Sequence, residues 1–142
     1  MSELLSFRFD VDGENFTSAG QASVQVKKNL RQLGLPAEII RRVSIAMYEG
    51  EINMVIHAGG GKAEVRVAEE YIEILLEDEG PGIADIEKAM QAGYSTAPDN
   101  IRSLGFGAGM GLPNMKRYTD YMNIESVVGE GTRVTMRVNI DG

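Results

Sequence analysis

Leu5, Phe7, Phe9 and Val11 are apolar and Ser6, Arg8 and Asp10 between them are polar, the two-residue period of a strand with one buried face. After a turn at Asp12-Gly13 the period changes. Ser18 and Gln21 have capping-box spacing, and Ala22, Val26, Leu30 and Leu33 recur at steps of three and four until Gly34, which predicts an amphipathic helix. Pro36 sits where a first-turn proline belongs. Ile39, Val43, Ala46, Met47, Gly50 and Met54 then form the buried stripe of a second helix reaching about His57, ended by Gly59-Gly60-Gly61.

Alternation returns in Ala63, Val65 and Val67 and, after a turn near Glu69-Glu70, in Ile72, Ile74 and Leu76, so the two runs predict an antiparallel hairpin stopping at Asp78-Glu79-Gly80. A short helix over about Ala84 to Gln91 precedes a stretch from Gly93 to Gly109 with no periodicity, rich in Gly, Ser, Pro and Asn, which reads as a mobile loop. A helix over about Leu112 to Tyr121 follows, then a strand near Asn123 to Val128, a turn at Gly129-Glu130-Gly131, and a last strand in which Val134, Met136, Val138 and Ile140 alternate. This order predicts an α/β (α+β) two-layer sandwich: a mixed, largely antiparallel sheet with helices on one face. The eight methionines fit packing positions.

Composition narrows the classes. With 142 residues the chain is the size of one domain, and residues 1–142 read as a single unit with no repeat or linker. The hydrophobic fraction of 43% and charged fraction of 25% are those of a soluble globular domain, and no apolar run has the length of a membrane span. The absence of cysteine and of a basic-then-apolar leader predicts a cytoplasmic protein. A net charge of −7 without a Lys/Arg run argues against direct nucleic-acid binding and for a protein or small-molecule partner.

Three constellations carry candidate chemistry. Glu49 and Asn53 are four apart on the second helix and share a face. An amide oxygen suits Mg²⁺, and a carboxylate one turn away can orient or deprotonate a group attacking a γ-phosphate. A solvated helix face would read the same way. Asp78-Glu79-Gly80-Pro81-Gly82 leaves a buried strand, where a carboxylate needs a partner such as an exocyclic amine and the glycines allow close backbone approach; a strand-ending turn is the alternative. Gly105-Phe106-Gly107-Ala108-Gly109-Met110-Gly111-Leu112 spaces four glycines before a helix, a pattern for a phosphate cradle of backbone N–H groups or for a flexible loop without ligand.

Taken in order and spacing, these motifs and the closing Gly129-Glu130-Gly131-Thr132 resemble the N, G1 and G2 boxes and the final Gly-x-Gly-Thr of the GHKL (Bergerat-fold) ATPases, over about Ile39 to Val138. The resemblance implies ATP and Mg²⁺ as cofactors. It implies Glu49 as catalytic carboxylate, Asn53 as magnesium ligand, Asp78 for the adenine amino group, Gly80 and Gly82 for backbone approach to adenine, Gly105 to Gly111 for phosphates, and Thr132 near the base. It also places Ile83, Ser95, Thr96 and Leu112 in the nucleotide-binding set.

Within that superfamily, large multidomain members need more chain. Sensor histidine kinases need a phosphoacceptor histidine on a dimerising helix, whereas the one histidine here, His57, falls in the N-box helix and reads as a packing or helix-ending residue. Asp78 to Ile83, Asp85-Ile86, Ala89-Met90, Gly93-Tyr94-Ser95-Thr96 and Gly111-Leu112-Pro113 with Lys116-Arg117 look most like the RsbT-type switch serine/threonine kinases. The segment Ala97 to Phe106 is longer and is similar to the lid of the anti-sigma kinases; Arg102 within it would meet the γ-phosphate or a partner, or stand as a solvent-exposed cation. The resemblance implies a protein-serine/threonine kinase whose substrate is a small STAS-domain partner, and alternatively a nucleotide-gated protein that sequesters a sigma factor. It leaves a homodimer open.

Overall fold

The computed structural model describes residues 3–12, 20–83, 86, 90 and 111–140. Its elements are β1 (Glu3–Asp12), α1 (Gln21–Gln32), α2 (Ala37–Ala58), β2 (Gly60–Ala68), β3 (Tyr71–Asp78), α3 (Gly111–Arg117), β4 (Tyr121–Val127) and β5 (Gly131–Asn139). The strands form one sheet in the order β1-β2-β3-β5-β4. Every pairing among the described residues is antiparallel, so the expected mixed sheet is antiparallel here.

The register explains the two layers. Phe7 pairs with Val65, Val65 with Ile74, Ile74 with Met136 and Met136 with Met122, so one apolar row crosses all five strands. Because side chains alternate along a strand, the parallel rows through Ile72 and Leu76 point the same way. Val65, Ile72, Ile74, Met136 and Val138 are fully buried beneath the helices, with Val26 and Leu30 of α1, Val43 and Met47 of α2 and Met115 of α3.

The opposite face carries charged and polar side chains among the described residues. Glu73, 9% exposed, takes Arg137 Nε at 2.9 Å and Arg66 Nη1 at 3.6 Å, and the Arg137 guanidinium lies 4.8 Å from the Tyr71 ring centroid and 5.2 Å from that of Tyr121. Glu64 adds Arg66 at 2.9 Å and Arg8 at 3.8 Å. Half-exposed pairs of this kind contribute little each to stability.

α2 is the axis of the helical layer. It spans 22 residues, about 33 Å, from Pro36 at its N-cap to Gly59, whose φ of 74° closes it in a left-handed cap. Gly50 lets it sit close: a Cβ there would meet Leu76 Cδ1, with Met115 Cε 3.3 Å away.

Three boundaries differ from the pattern reading. Gly60 and Gly61 belong to β2, pairing with Asp12 and Val11, and only Gly59 stops the helix. α3 ends at Arg117 rather than near Tyr121 because Asp120 is claimed elsewhere. Its N–H donates to the Arg137 carbonyl at 2.8 Å, and its carboxylate accepts from the Asn139 N–H at 2.7 Å and pairs with Arg42 Nη2 at 3.2 Å. α1 is capped by Glu51 of α2 rather than by a residue of its own. The expected Ser18 cap, the Ala84 to Gln91 helix apart from Ile86 and Met90, and the Gly93 to Gly109 loop lie outside the described residues. Among the described residues no helix is long and apolar enough to cross a membrane.

Candidate functional site

Two clusters form along α2. The first holds Glu49 and Asn53, one turn apart and both half-buried beside the buried Gly50. Burial pushes the Glu49 carboxyl above the ordinary carboxylate range, and a hydrogen bond from Asn114 pulls it partly back. That bond, from Asn114 Nδ2 to Glu49 Oε1, is long at 3.5 Å. Asn114 lies on α3, whose first residue is Gly111, the last of the glycine run. The start of α3 and the acid of α2 are thereby in direct contact. Asn53 makes no hydrogen bond among the described residues, and no three His, Cys, Asp or Glu side chains converge there. A hard cation held by the Asn53 amide would take its other ligands from phosphate and water, the usual habit of Mg²⁺.

The second cluster closes the end of β3. Asp78 pairs with Thr132 of β5, and its Oδ1 accepts the N–H groups of Gly80 at 3.0 Å and Thr132 at 3.2 Å. Its Oδ2 has no protein donor among the described residues. A carboxylate half satisfied by backbone, with one oxygen left over, fits an exocyclic amine such as that of adenine. Thr132, 9% exposed, places its hydroxyl 2.9 Å from Ser126 Oγ. Ser126 Oγ accepts the Ile83 N–H at 2.7 Å and reaches the Gly131 carbonyl at 3.2 Å, while the Gly129 N–H donates to the Pro81 carbonyl at 2.8 Å. These bonds fasten the segment 78–83 to the β4–β5 hairpin.

The glycines of this turn answer first to protein packing. Gly82 has φ +80°, and a Cβ there would lie 2.6 Å from the Val127 carbonyl oxygen; a Cβ on Gly80 would lie 2.6 Å from Ala58 Cβ at the end of α2. The close approach that the sequence reading reserved for adenine is thus required by the hairpin and by α2 as well. From Ala58 back to Glu49 is about 13 Å along the helix axis.

Of the residues singled out from the sequence, Glu49 and Asn53 come together beside α3, and Asp78, Gly80, Gly82, Ile83 and Thr132 come together at the end of β3. The side chain of Leu112 is 7% exposed and part of the core beneath α3. Ser95, Thr96, Arg102, Gly105, Gly107, Ala108, Gly109 and Met110 lie outside the described residues.

Three functional neighbours were not singled out. Asn114 reaches Glu49, and Ser126 carries the 78–83 turn. Glu51, 3% exposed, accepts the N–H groups of Gly20 at 2.8 Å, Ala22 at 3.2 Å and Ser23 at 3.1 Å. The sequence holds a signal for two of them. Glu51 interrupts the apolar stripe between Met47 and Met54, and Ser126 follows Met122 and Ile124 at inward-facing strand positions, where a polar group needs a dedicated partner.

Comparison with known proteins agrees with this arrangement. The profile of the family described as "Histidine kinase-like ATPase domain" matches residues 15–138. Serine/threonine-protein kinase RsbT of Bacillus subtilis is 36% identical over 118 residues, covering 80% of this chain and 83% of that protein. Anti-sigma F factor of Clostridium novyi is 34% identical over 122 residues, 82% of each chain, and that of Clostridium acetobutylicum is 34% identical over 138 residues, 94% of this chain and 90% of that protein. Among solved structures, the RsbU and RsbW domains of a Mycobacterium tuberculosis protein superpose with a TM-score of 0.65 at 15% identity, over 95% of this chain and 32% of that longer one. The mycobacterial sensor histidine kinase MprB gives 0.54 at 15% identity over 95% and 97%. These two share the fold. A two-layer sandwich with an acid and amide on α2, an aspartate closing β3 and curated relatives matched over most of their length lead to one placement: the chain belongs to the histidine kinase-like ATPase domain family, in the group that contains RsbT and the anti-sigma F factors.

Proposed function

We propose that the chain is an ATP-dependent serine/threonine protein kinase of the switch type, acting in the cytoplasm on a small STAS-domain partner. The observation that carries this reading is Glu49: a half-buried carboxylate with a raised pKa, one turn from Asn53 and touching α3 through Asn114. The names of the relatives support it, since one is a serine/threonine-protein kinase and the others are anti-sigma F factors.

In this reading Asp78 receives the adenine amino group on Oδ2 while Oδ1 stays with Gly80 and Thr132. Ser126, Thr132 and Ile83 hold that turn against the hairpin, so the acceptor is aimed before nucleotide arrives. Asn53 would hold Mg²⁺, and Gly105 to Gly111, with Ser95, Thr96 and Arg102, would take the phosphates. Bound ATP supplies the phosphoryl group and the metal neutralises charge as it moves. Glu49 orients the hydroxyl of the partner's serine or threonine and accepts its proton, a role that a raised carboxylate pKa favours. The two clusters, one beside Glu49 and Asn53 and the other beyond the end of α2, suit a ligand with a base at one end and phosphates at the other.

The anti-sigma F relatives give a second reading, in which nucleotide gates the capture of a sigma factor. One experiment separates them. Wild type and Glu49→Gln are immobilised and incubated with γ-labelled ATP, Mg²⁺ and the purified STAS-domain proteins and sigma factors of the host. Labelling of one such protein on Ser or Thr by wild type alone is expected. Retention of a sigma factor by both forms, with no protein labelled, would establish the sequestering role instead.

A further inference from the structure

The outer surface of the helical layer carries a feature that the nucleotide site does not use. Though the chain has a net charge of −7, the three helices α1, α2 and α3 among the described residues hold seven basic residues against three acidic ones, Glu38, Glu49 and Glu51. The rest of the sequence is correspondingly more acidic.

Three of these cations, Lys27, Arg31 and Arg41, line an open groove of about 470 Å³ between α1 and α2, together with Leu35 and Ile40. Arg41 is already engaged, its Nε and Nη2 on the Glu38 carboxylate at 3.1 and 2.8 Å. Lys27 and Arg31 have no carboxylate partner among the described residues, which is unusual in a chain with this excess of acid. Ser44 also lines the groove, and its Oγ is buried without a hydrogen-bond partner among the described residues. A buried hydroxyl left unpaired is costly, so it marks a place for a polar group from outside.

The groove continues beyond the cavity. Val24 precedes Lys27 and Arg31 at helical spacing on α1, and Tyr48 follows Arg41 and Ser44 on α2; they are 55% and 40% exposed. Tyr48 lies against Gly20, one turn before Val24. The surface is therefore a strip, apolar at the Val24–Tyr48 end and at Leu35, and cationic at Lys27, Arg31 and Arg41.

We propose that the α1–α2 groove docks an acidic amphipathic helix of a partner protein, with apolar side chains laid along Leu35, Val24 and Tyr48 and carboxylates meeting Lys27 and Arg31. Helix-in-groove recognition uses apolar anchors at helical spacing, and complementary charge fixes the register. The inference is independent of the kinase assignment, because none of the groove residues belongs to the Glu49 or Asp78 cluster.

The test uses the full chain labelled with ¹⁵N and a synthetic peptide of about four helical turns, with Leu at four-residue spacing flanked by Glu. The expected result is amide shifts confined to α1 and α2 around Lys27, Arg31 and Ser44. Lys27→Glu/Arg31→Glu should weaken binding about tenfold or more while leaving ATP affinity and thermal unfolding unchanged. The proposal is overturned by equal binding of a sequence-scrambled peptide, by shifts elsewhere, by an unaffected double variant, or by no binding at about 1 mM peptide. Binding of phosphatidylglycerol-containing vesicles without binding of the peptide would overturn it in favour of a lipid surface.

Discussion

Replacing Glu51 by alanine removes one side chain and orphans three backbone donors. Its carboxylate is the N-terminal cap of α1, supplied from another helix because Gly20 at the N-cap has no side chain to offer. An ordinary N-cap loss costs about 1 kcal/mol. Here the acceptor is charged and 3% exposed, and each donor left without a partner costs roughly 1–3 kcal/mol, moderated where water can refill the first turn. The expected loss is about 3–5 kcal/mol, a large share of a typical domain's stability, and a fall in Tm of roughly 10–17 °C for a chain of this size. Glu51→Gln keeps one oxygen acceptor and should lose about half as much. Urea unfolding followed by far-UV circular dichroism reads both, and amide exchange at Ala22 and Ser23 should accelerate in the alanine variant. A loss below about 1 kcal/mol in Glu51→Ala, or equal losses in the two variants, would show that the three bonds do not hold α1.

Glu49 should show its burial in two ways. Its folded pKa is raised above the ordinary value, so its contribution to stability is present at low pH and lost as pH rises through the folded value; Glu49→Gln should therefore slightly raise Tm at pH 7.5 and leave it unchanged near pH 4. In the kinase reading, the acidic limb of the transfer rate should move to higher pH in Asn114→Leu, since the Asn114 bond is what pulls that pKa down. His57 has the opposite sign: burial lowers its folded pKa, so its contribution is present above about pH 6.5 and lost as pH falls through the folded value, and His57→Gln should flatten that part of the stability profile. Gly82→Ala places a Cβ against the backbone of Val127 at a positive φ, with an expected loss of about 2–3 kcal/mol in denaturant unfolding; a change within about 0.5 kcal/mol would contradict the packing account of that turn.

Local patterns in the sequence carried most of the fold. Alternation in Phe7–Val11, Ala63–Val67, Ile72–Leu76 and Val134–Val138 marks strands because each has one face on the helices, and the stripes of α1 and α2 mark helices for the same reason. What stayed hidden depends on partners distant in sequence. Nothing local shows that β5 inserts between β3 and β4, and α3 stops at Arg117 because Arg137 and Asn139 take Asp120, some 20 residues on. The site divides in the same way. Glu49 with Asn53 and Asp78 with Gly80 are legible because spacing along one element brings them together. Asn114 on Glu49 is a tertiary contact that no spacing announces, and for Ser126 the strand period shows an inward-facing polar group but not its partner Ile83.

The central claim is that Asp78 receives the base of a nucleotide. Asn is the same shape and keeps an oxygen for Gly80 and Thr132, but it sets an amide N–H₂ where the second carboxylate oxygen was, donor against donor. Calorimetric titration of Mg²⁺·ATP into wild type, Asp78→Asn and Glu49→Gln is the most direct measurement. The account predicts affinity about tenfold or more weaker in Asp78→Asn, with unfolding unchanged, and within about twofold of wild type in Glu49→Gln. Equal affinity in wild type and Asp78→Asn would contradict it.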